Sequence, residues 1–146
     1  SLNQLSILHN LQFVLPLHPR TAKQINESEH PIFEEIKSNP NLKIIEPVGF
    51  LEMVLLEKYA SLVVTDSGGV QKEAFFMKKP CIILRPETEW TEIVECGCAL
   101  LAGSNSKKIK DSFTAFQNNR PDDFPSIFGN GKAAEFICES IIKYLN

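Results

Sequence analysis

Read for its apolar and polar positions alone, the chain alternates short apolar runs with longer amphipathic stretches. Phe13-Val14-Leu15, Leu42 to Ile45, Leu62 to Thr65, Cys81 to Leu84 and Ala99-Leu100-Leu101 are short and continuous, as strands buried on both faces are. Helices are predicted between them over Thr21 to Lys37 (broken near His30-Pro31, because proline interrupts the backbone ladder), Leu51 to Tyr59, Val70 to Met77, Glu89 to Cys96 and Lys107 to Phe116. In the second of these, Leu51, Val54, Leu55 and Lys58 fall on the i, i+3, i+4, i+7 positions. A long last helix, Gly131 to Leu145, carries an apolar face of Ala134, Ile137, Cys138, Ile141 and Ile142. Ser1 to Asn10 reads as an opening helix that needs something else to pack on, a linker helix or a crossing from another domain. Asn118 to Asn130, rich in Asn, Pro, Asp and Gly, reads as a surface loop. Strands that alternate with helices predict an α/β domain around a parallel sheet, with ligands beyond the carboxyl ends of its strands.

Composition narrows the class. A chain of 146 residues suits one domain with a real core, here read as a single unit over residues 1–146. A net charge of −3 argues against a nucleic-acid partner. No run of about 18 apolar residues predicts a membrane helix, and no basic segment followed by an apolar core predicts a signal peptide. A cytoplasmic setting is therefore expected, in which the four cysteines stay as free thiols, mostly buried. Cys96-Gly97-Cys98 is spaced as half of a metal site, but neither a second pair nor His9, His18 or His30 completes it, so no metal is expected. No cofactor is expected either.

The candidate chemistry lies in Thr65-Asp66-Ser67-Gly68-Gly69-Val70-Gln71-Lys72-Glu73, which follows an apolar run and opens an amphipathic stretch. Strand, glycine turn and helix start in that order make a seat for an anion, since the first N–H groups of a helix are unpaired and carry partial positive charge. Gly68 and Gly69 allow a ligand close to the backbone, and Ser67 either caps the helix or hydrogen-bonds the anion. Glu73, roughly one turn further along, is placed to accept the two hydroxyls of a ribose. Asp66 would repel an anion, so a role in holding the turn is expected for it. Arg85-Pro86-Glu87-Thr88-Glu89-Trp90-Thr91-Glu92 is a polar turn after the next strand, and would share the rim with the glycine turn if the two strands are neighbours.

Residues Thr65 to Ala74, followed by Lys79-Pro80 and Arg85-x-x-Thr88-Glu89-x-x-Glu92, resemble the UDP-N-acetylglucosamine 2-epimerase family. Pro47, Gly97, Gly103 and Gly129-x-Gly131-x-Ala133 fit its pattern too, so the likeness runs from about Phe13 to Leu145. The resemblance implies a Rossmann-like parallel sheet flanked by helices, the C-terminal half of a glycosyltransferase-B-type enzyme whose cleft lies between two such domains. It implies that Ser67, Gly68 and Gly69 hold the diphosphate of a UDP-sugar, that Glu73 holds the ribose and that the backbone of Val48 reads the uracil edge. His18 matches a histidine near a second, regulatory site in some bacterial members; it also reads as a structural histidine at a strand end. Met53 stands where members often stack an aromatic ring on uracil. Trp90 stands where members acting on UDP-N-acetylglucosamine often have arginine, which opens the sugar to a modified hexosamine such as a diacetamido uronic acid; it also reads as simple packing.

The family reaction inverts C2 through elimination and re-addition of UDP. Its proton-transferring carboxylates and histidine belong to the N-terminal domain and the joining segment, so no catalytic residue is expected in this chain. The resemblance further implies a homodimer. Two other readings remain: a UDP-sugar transferase domain of glycosyltransferase-B type, and a non-catalytic UDP-sugar-binding module.

Overall fold

A computed structural model describes residues 1–28 and 30–145. In chain order the elements are α1 (Leu2–His9), β1 (Phe13–Pro16), α2 (Pro19–Glu27), α3 (Ile32–Ser38), β2 (Leu42–Ile45), α4 (Phe50–Tyr59), β3 (Val63–Thr65), α5 (Gly68–Phe76), β4 (Cys81–Ile83), α6 (Thr91–Glu95), β5 (Ala99–Leu101), α7 (Ser106–Asn118) and α8 (Ala133–Leu145). Every strand pairing is parallel, as continuous apolar strands joined by helical crossovers require. The strands form two hydrogen-bonded sets, β1-β2 and β3-β4-β5, where the sequence pattern suggested one sheet. The predicted helix over Thr21 to Lys37 is two helices separated around Pro31; position 29 lies outside the described residues.

The core centres on β4, whose Cys81, Ile82 and Ile83 are all buried. One face packs Ile83 and Cys81 with Val63, Ala74, Phe75, Ile93, Cys98 and Ala99. The other packs Ile82 with Leu5, Ala102, Ile109, Phe113 and Phe116, and partly buried Phe13 and Val64 join the same cluster. Leu5 therefore docks α1 on this domain, against α7 and β4, which corrects the expectation that the opening helix needs a surface from elsewhere. Polar contacts fix it further: the Asn39 amide donates to Asn3 Oδ1 at 2.6 Å and to Ser6 Oγ at 2.7 Å, all three being buried.

Two more expectations change. On α4 the expected stripe is exposed at Leu51, Leu55 and Lys58 and half-buried at Val54, while the inward side carries buried Glu57 with half-buried Met53 and Leu56, so the apolar stripe read from sequence is turned largely away from its true register. Segment 118–130 is pinned as well as exposed: Phe124 and Phe128 lie 5.6 and 5.5 Å from the Phe75 ring, centroid to centroid. Cys96-Gly97-Cys98 ends a helix. Gly97 adopts φ 76° and its N–H donates to Val94 O, the left-handed stop that glycine permits without strain. The cysteines are free thiols, with Cys81 and Cys98 buried and Cys138 exposed. Among the described residues no group of three or more His, Cys, Asp or Glu side chains is arranged to hold a metal, and no helix is long and apolar enough to cross a membrane.

Candidate functional site

The site is built on the carboxyl ends of β3 and β4. These strands are neighbours, with Thr65 opposite Ile83, so the loops that follow them share one rim. Thr65 leads into Ser67, whose extended backbone makes it the N-cap of α5. Helix α5 then begins at Gly68, two residues earlier than the apolar pattern suggests. Both glycines thus lie inside its first turn, and the N–H groups of Gly68, Gly69 and Val70 have no carbonyl one turn earlier to bond. Ser67 makes no capping bond with its side chain, and its hydroxyl sits exposed at the rim. The turn is held by Thr65, whose Oγ1 accepts from the Ser67 N–H at 3.0 Å. Asp66 is exposed and makes no hydrogen bond among the described residues, so the structural role expected for it belongs to Thr65.

The second loop locks onto the first. The Trp90 indole N–H donates to Gly68 O at 2.9 Å, and the Trp90 backbone N–H donates to Thr88 Oγ1 at 3.1 Å. The Thr88 hydroxyl in turn donates to Oε1 of Gln71 at 2.6 Å, a side chain fully buried beneath the turn. Lys72 lays its ammonium 4.1 Å from the centroid of the Trp90 ring and 4.4 Å from that of Phe128, a cation held between two aromatic faces. Trp90 is therefore more than packing: it buttresses the glycine turn and seats a lysine. Glu89 rests against Gly68, where a Cβ would meet its carboxylate, and is paired with Arg85 Nη1 at 2.9 Å. That pairing offsets a negative charge beside the open amino end of α5. None of these links involving Gln71, Lys72 and Phe128 was read from the sequence, since none leaves a local spacing signal.

Glu73 lies half-buried on α5, five residues beyond the helix start at Gly68. Facing it from α4 is Glu57, only 3% exposed, whose two carboxylate oxygens have no donor among the described residues. Burial and the neighbouring Glu73 carboxylate push the Glu57 carboxyl up to about 7. Burial, with Glu57 adding to it, also pushes the Cys81 thiol up to about 12. Val48 and Met53 flank the start of α4, after β2, and both are half-buried. His18, at the carboxyl end of β1, is exposed; its Nδ1 accepts from the Arg20 N–H at 3.3 Å, so it caps α2 with Pro19 at the first helical position.

Parallel strands wrapped by helices, with a glycine-started helix opening on the strand-end rim, define a Rossmann-like domain of glycosyltransferase-B type. The sequence profile described as UDP-N-acetylglucosamine 2-epimerase matches residues 1–142, and the chain belongs to that family. The UDP-N-acetylglucosamine 2-epimerase of Methanocaldococcus jannaschii is 44% identical over 130 residues, covering 89% of this chain and 35% of that protein. The UDP-2,3-diacetamido-2,3-dideoxy-D-glucuronate 2-epimerase of Pseudomonas aeruginosa is 41% identical over 130 residues, 89% of this chain and 34% of its own length. The crystal structure of the M. jannaschii enzyme with UDP-GlcNAc and UDP superposes with a TM-score of 0.82 at 41% identity, covering 98% of this chain and 38% of that one. The chain thus spans about a third of the length of the relatives it matches.

Proposed function

We propose that this chain is the C-terminal, UDP-holding half of a two-domain 2-epimerase acting on UDP-N-acetylglucosamine or a related UDP-hexosamine. The observation that carries the reading is the rim itself: the open amino end of α5 at Gly68 and Gly69, with Glu73 half-buried further along the same helix. Relatives crystallised with UDP-GlcNAc at 41% and 32% identity support it. The N–H groups of Gly68, Gly69 and Val70 receive the diphosphate, the Ser67 hydroxyl adds a donor, and Glu73 accepts the ribose hydroxyls. The Val48 backbone and the Met53 thioether flank the base. The similarity to both a UDP-GlcNAc epimerase and a diacetamido-glucuronate epimerase, with Trp90 and Lys72 beside the turn, supports leaving the sugar as a UDP-hexosamine.

In the reaction, a proton leaves C2 as the C1–O bond to UDP breaks. The resulting 2-acetamidoglucal takes UDP back at C1 and a proton on the other face of C2. The contribution of this chain is to the leaving group. Negative charge grows on the diphosphate oxygens as the bond breaks, and preorganised N–H donors with the α5 dipole stabilise it there. The groups that move the C2 proton come from an N-terminal domain and the joining segment, so the 146-residue chain alone binds UDP weakly and does not epimerise. Free thiols throughout fit a reducing compartment, the cytoplasm, and the full enzyme is expected to be a homodimer.

Calorimetry with UDP tests the assignment. Glu73→Ala is expected to cost roughly 1–3 kcal/mol of binding, the cost of leaving ribose hydroxyls unmatched in a partly buried site. An unchanged dissociation constant overturns the ribose role. Interconversion of UDP-GlcNAc and UDP-ManNAc by the chain on its own overturns the division of labour.

A further inference from the structure

Glu57 stands out because it makes no sense as an ordinary carboxylate. It is buried on the inward face of α4, its two oxygens have no donor among the described residues, and the polar side chain it meets is another carboxylate, Glu73. An ionised buried carboxylate without donors loses its hydration and gains nothing for it. Two facing carboxylates are worse still, unless a proton lies between them. Among the described residues, the titratable groups that face Glu57 are Glu73 from α5 and the Cys81 thiol from β4, and neither supplies a positive charge.

We propose that Glu57 is a positioning residue for Glu73: the Glu57 carboxyl keeps its proton and donates it to one oxygen of Glu73, leaving the other oxygen aimed at the rim. This rests on the reading of Glu73 as the carboxylate that takes the ribose diol. The shared proton does two things there. It fixes the rotamer of Glu73 before ligand arrives, so less ordering is lost on binding. It also keeps the pair at one negative charge rather than two beside a site for a diphosphate. With the Glu57 carboxyl placed near 7 by its burial and by Glu73, deprotonation above neutrality removes the donor and sets two charges face to face.

Two substitutions separate this from a packing role. Glu57→Gln keeps a donor to Glu73 but cannot titrate; Glu57→Met keeps the length and removes the donor. UDP binding by the full chain is measured by calorimetry from pH 6 to pH 8.5, where the Glu57→Gln protein serves as the reference for ionisation of UDP itself. At pH 6, Glu57→Gln is expected to bind within about twofold of the parent, and Glu57→Met about five- to tenfold more weakly. Raising the pH to 8.5 is expected to weaken the parent about fivefold relative to Glu57→Gln. Parallel pH profiles for the parent and Glu57→Gln, or parent-like binding by Glu57→Met at pH 6, overturn the proposal. Glutamate carboxyl carbons followed by ¹³C NMR give a readout that needs no ligand. One resonance should titrate near neutral pH in the parent and vanish in Glu57→Gln, and its absence from the parent overturns the proposal. Glu73→Ala run alongside tells the two readings apart. If it leaves UDP affinity unchanged while the neutral titration is present, the ribose assignment fails and the shared proton stands.

Discussion

Strand β4 and helix α8 are built from the same kind of residues and meet opposite fates. In β4, Ile82 and Ile83 are 0% exposed, each locked into one of the two core clusters. In α8, Phe136 is 71%, Ile137 54% and Ile141 54% exposed, although their spacing draws an apolar face of the kind that helices bury. The difference teaches that a periodic apolar pattern specifies an element and a face, but not what that face will touch. For β4 the partners are set by the chain itself, because flanking parallel strands and crossover helices cover both sides. For α8 they are not, in a chain that spans about a third of its relatives' length.

The contrast breaks first in the core. Ile83→Ala is expected to cost about 2–5 kcal/mol, the transfer and cavity penalty of a fully buried aliphatic, read as a lower urea midpoint. A loss below about 1 kcal/mol would mean the β4 core is as loosely held as α8. The next largest effect belongs to the rim, and it is electrostatic. Glu57 ionises near 7 in the folded protein against an ordinary 4.5. Between those values the folded state holds the extra proton, so stability is full below about 4.5, falls as pH rises through about 7, and levels off above it. The linkage amounts to about 3 kcal/mol. Glu57→Gln should flatten that slope in urea titrations across pH; an identical slope in both proteins places the proton elsewhere.

How much of this was legible in advance follows the range of the interactions. The strands and the glycine turn were, because β-branched runs and the Gly68-Gly69 pair act within a few residues. Parallel neighbours β3 and β4 put the Arg85–Trp90 loop where the sequence expected it. The face of α4 was misread because Glu57 is charged and Leu51 and Leu55 are not; composition weighed against burying the carboxylate, and tertiary placement overrode it. Likewise the bond from Trp90 to Gly68 and the seat of Lys72 between Trp90 and Phe128 join residues far apart in sequence, and nothing local announces them. His18 was legible only as one of two possibilities, and the structure gives it a capping bond to Arg20.

That cross-loop bond yields a smaller effect. Trp90→Phe keeps an aromatic face for Lys72 but removes the N–H that the Gly68 carbonyl accepts. A half-buried hydrogen bond of this kind contributes about 1 kcal/mol, so thermal unfolding should report a loss of that size. A variant as stable as the parent would show that the turn holds itself through Thr65 and Ser67 alone.

The smallest effect is expected from α8, and it is the sharpest form of the comparison. Side chains more than half exposed in the folded chain have little burial left to lose. Ile137→Ala and Ile141→Ala should therefore each move stability by no more than about 0.5 kcal/mol, against several times that for Ile83→Ala with the same loss of atoms. Both substitutions also trade isoleucine for a better helix former, which offsets part of any loss. The measurement is urea unfolding at two protein concentrations well apart. If either variant costs more than about 1 kcal/mol at both, α8 is docked on its own domain in solution and the apolar face is part of the core. If the cost appears only at the higher concentration, the face is covered by a second copy of the chain, because association stabilises the folded state by mass action.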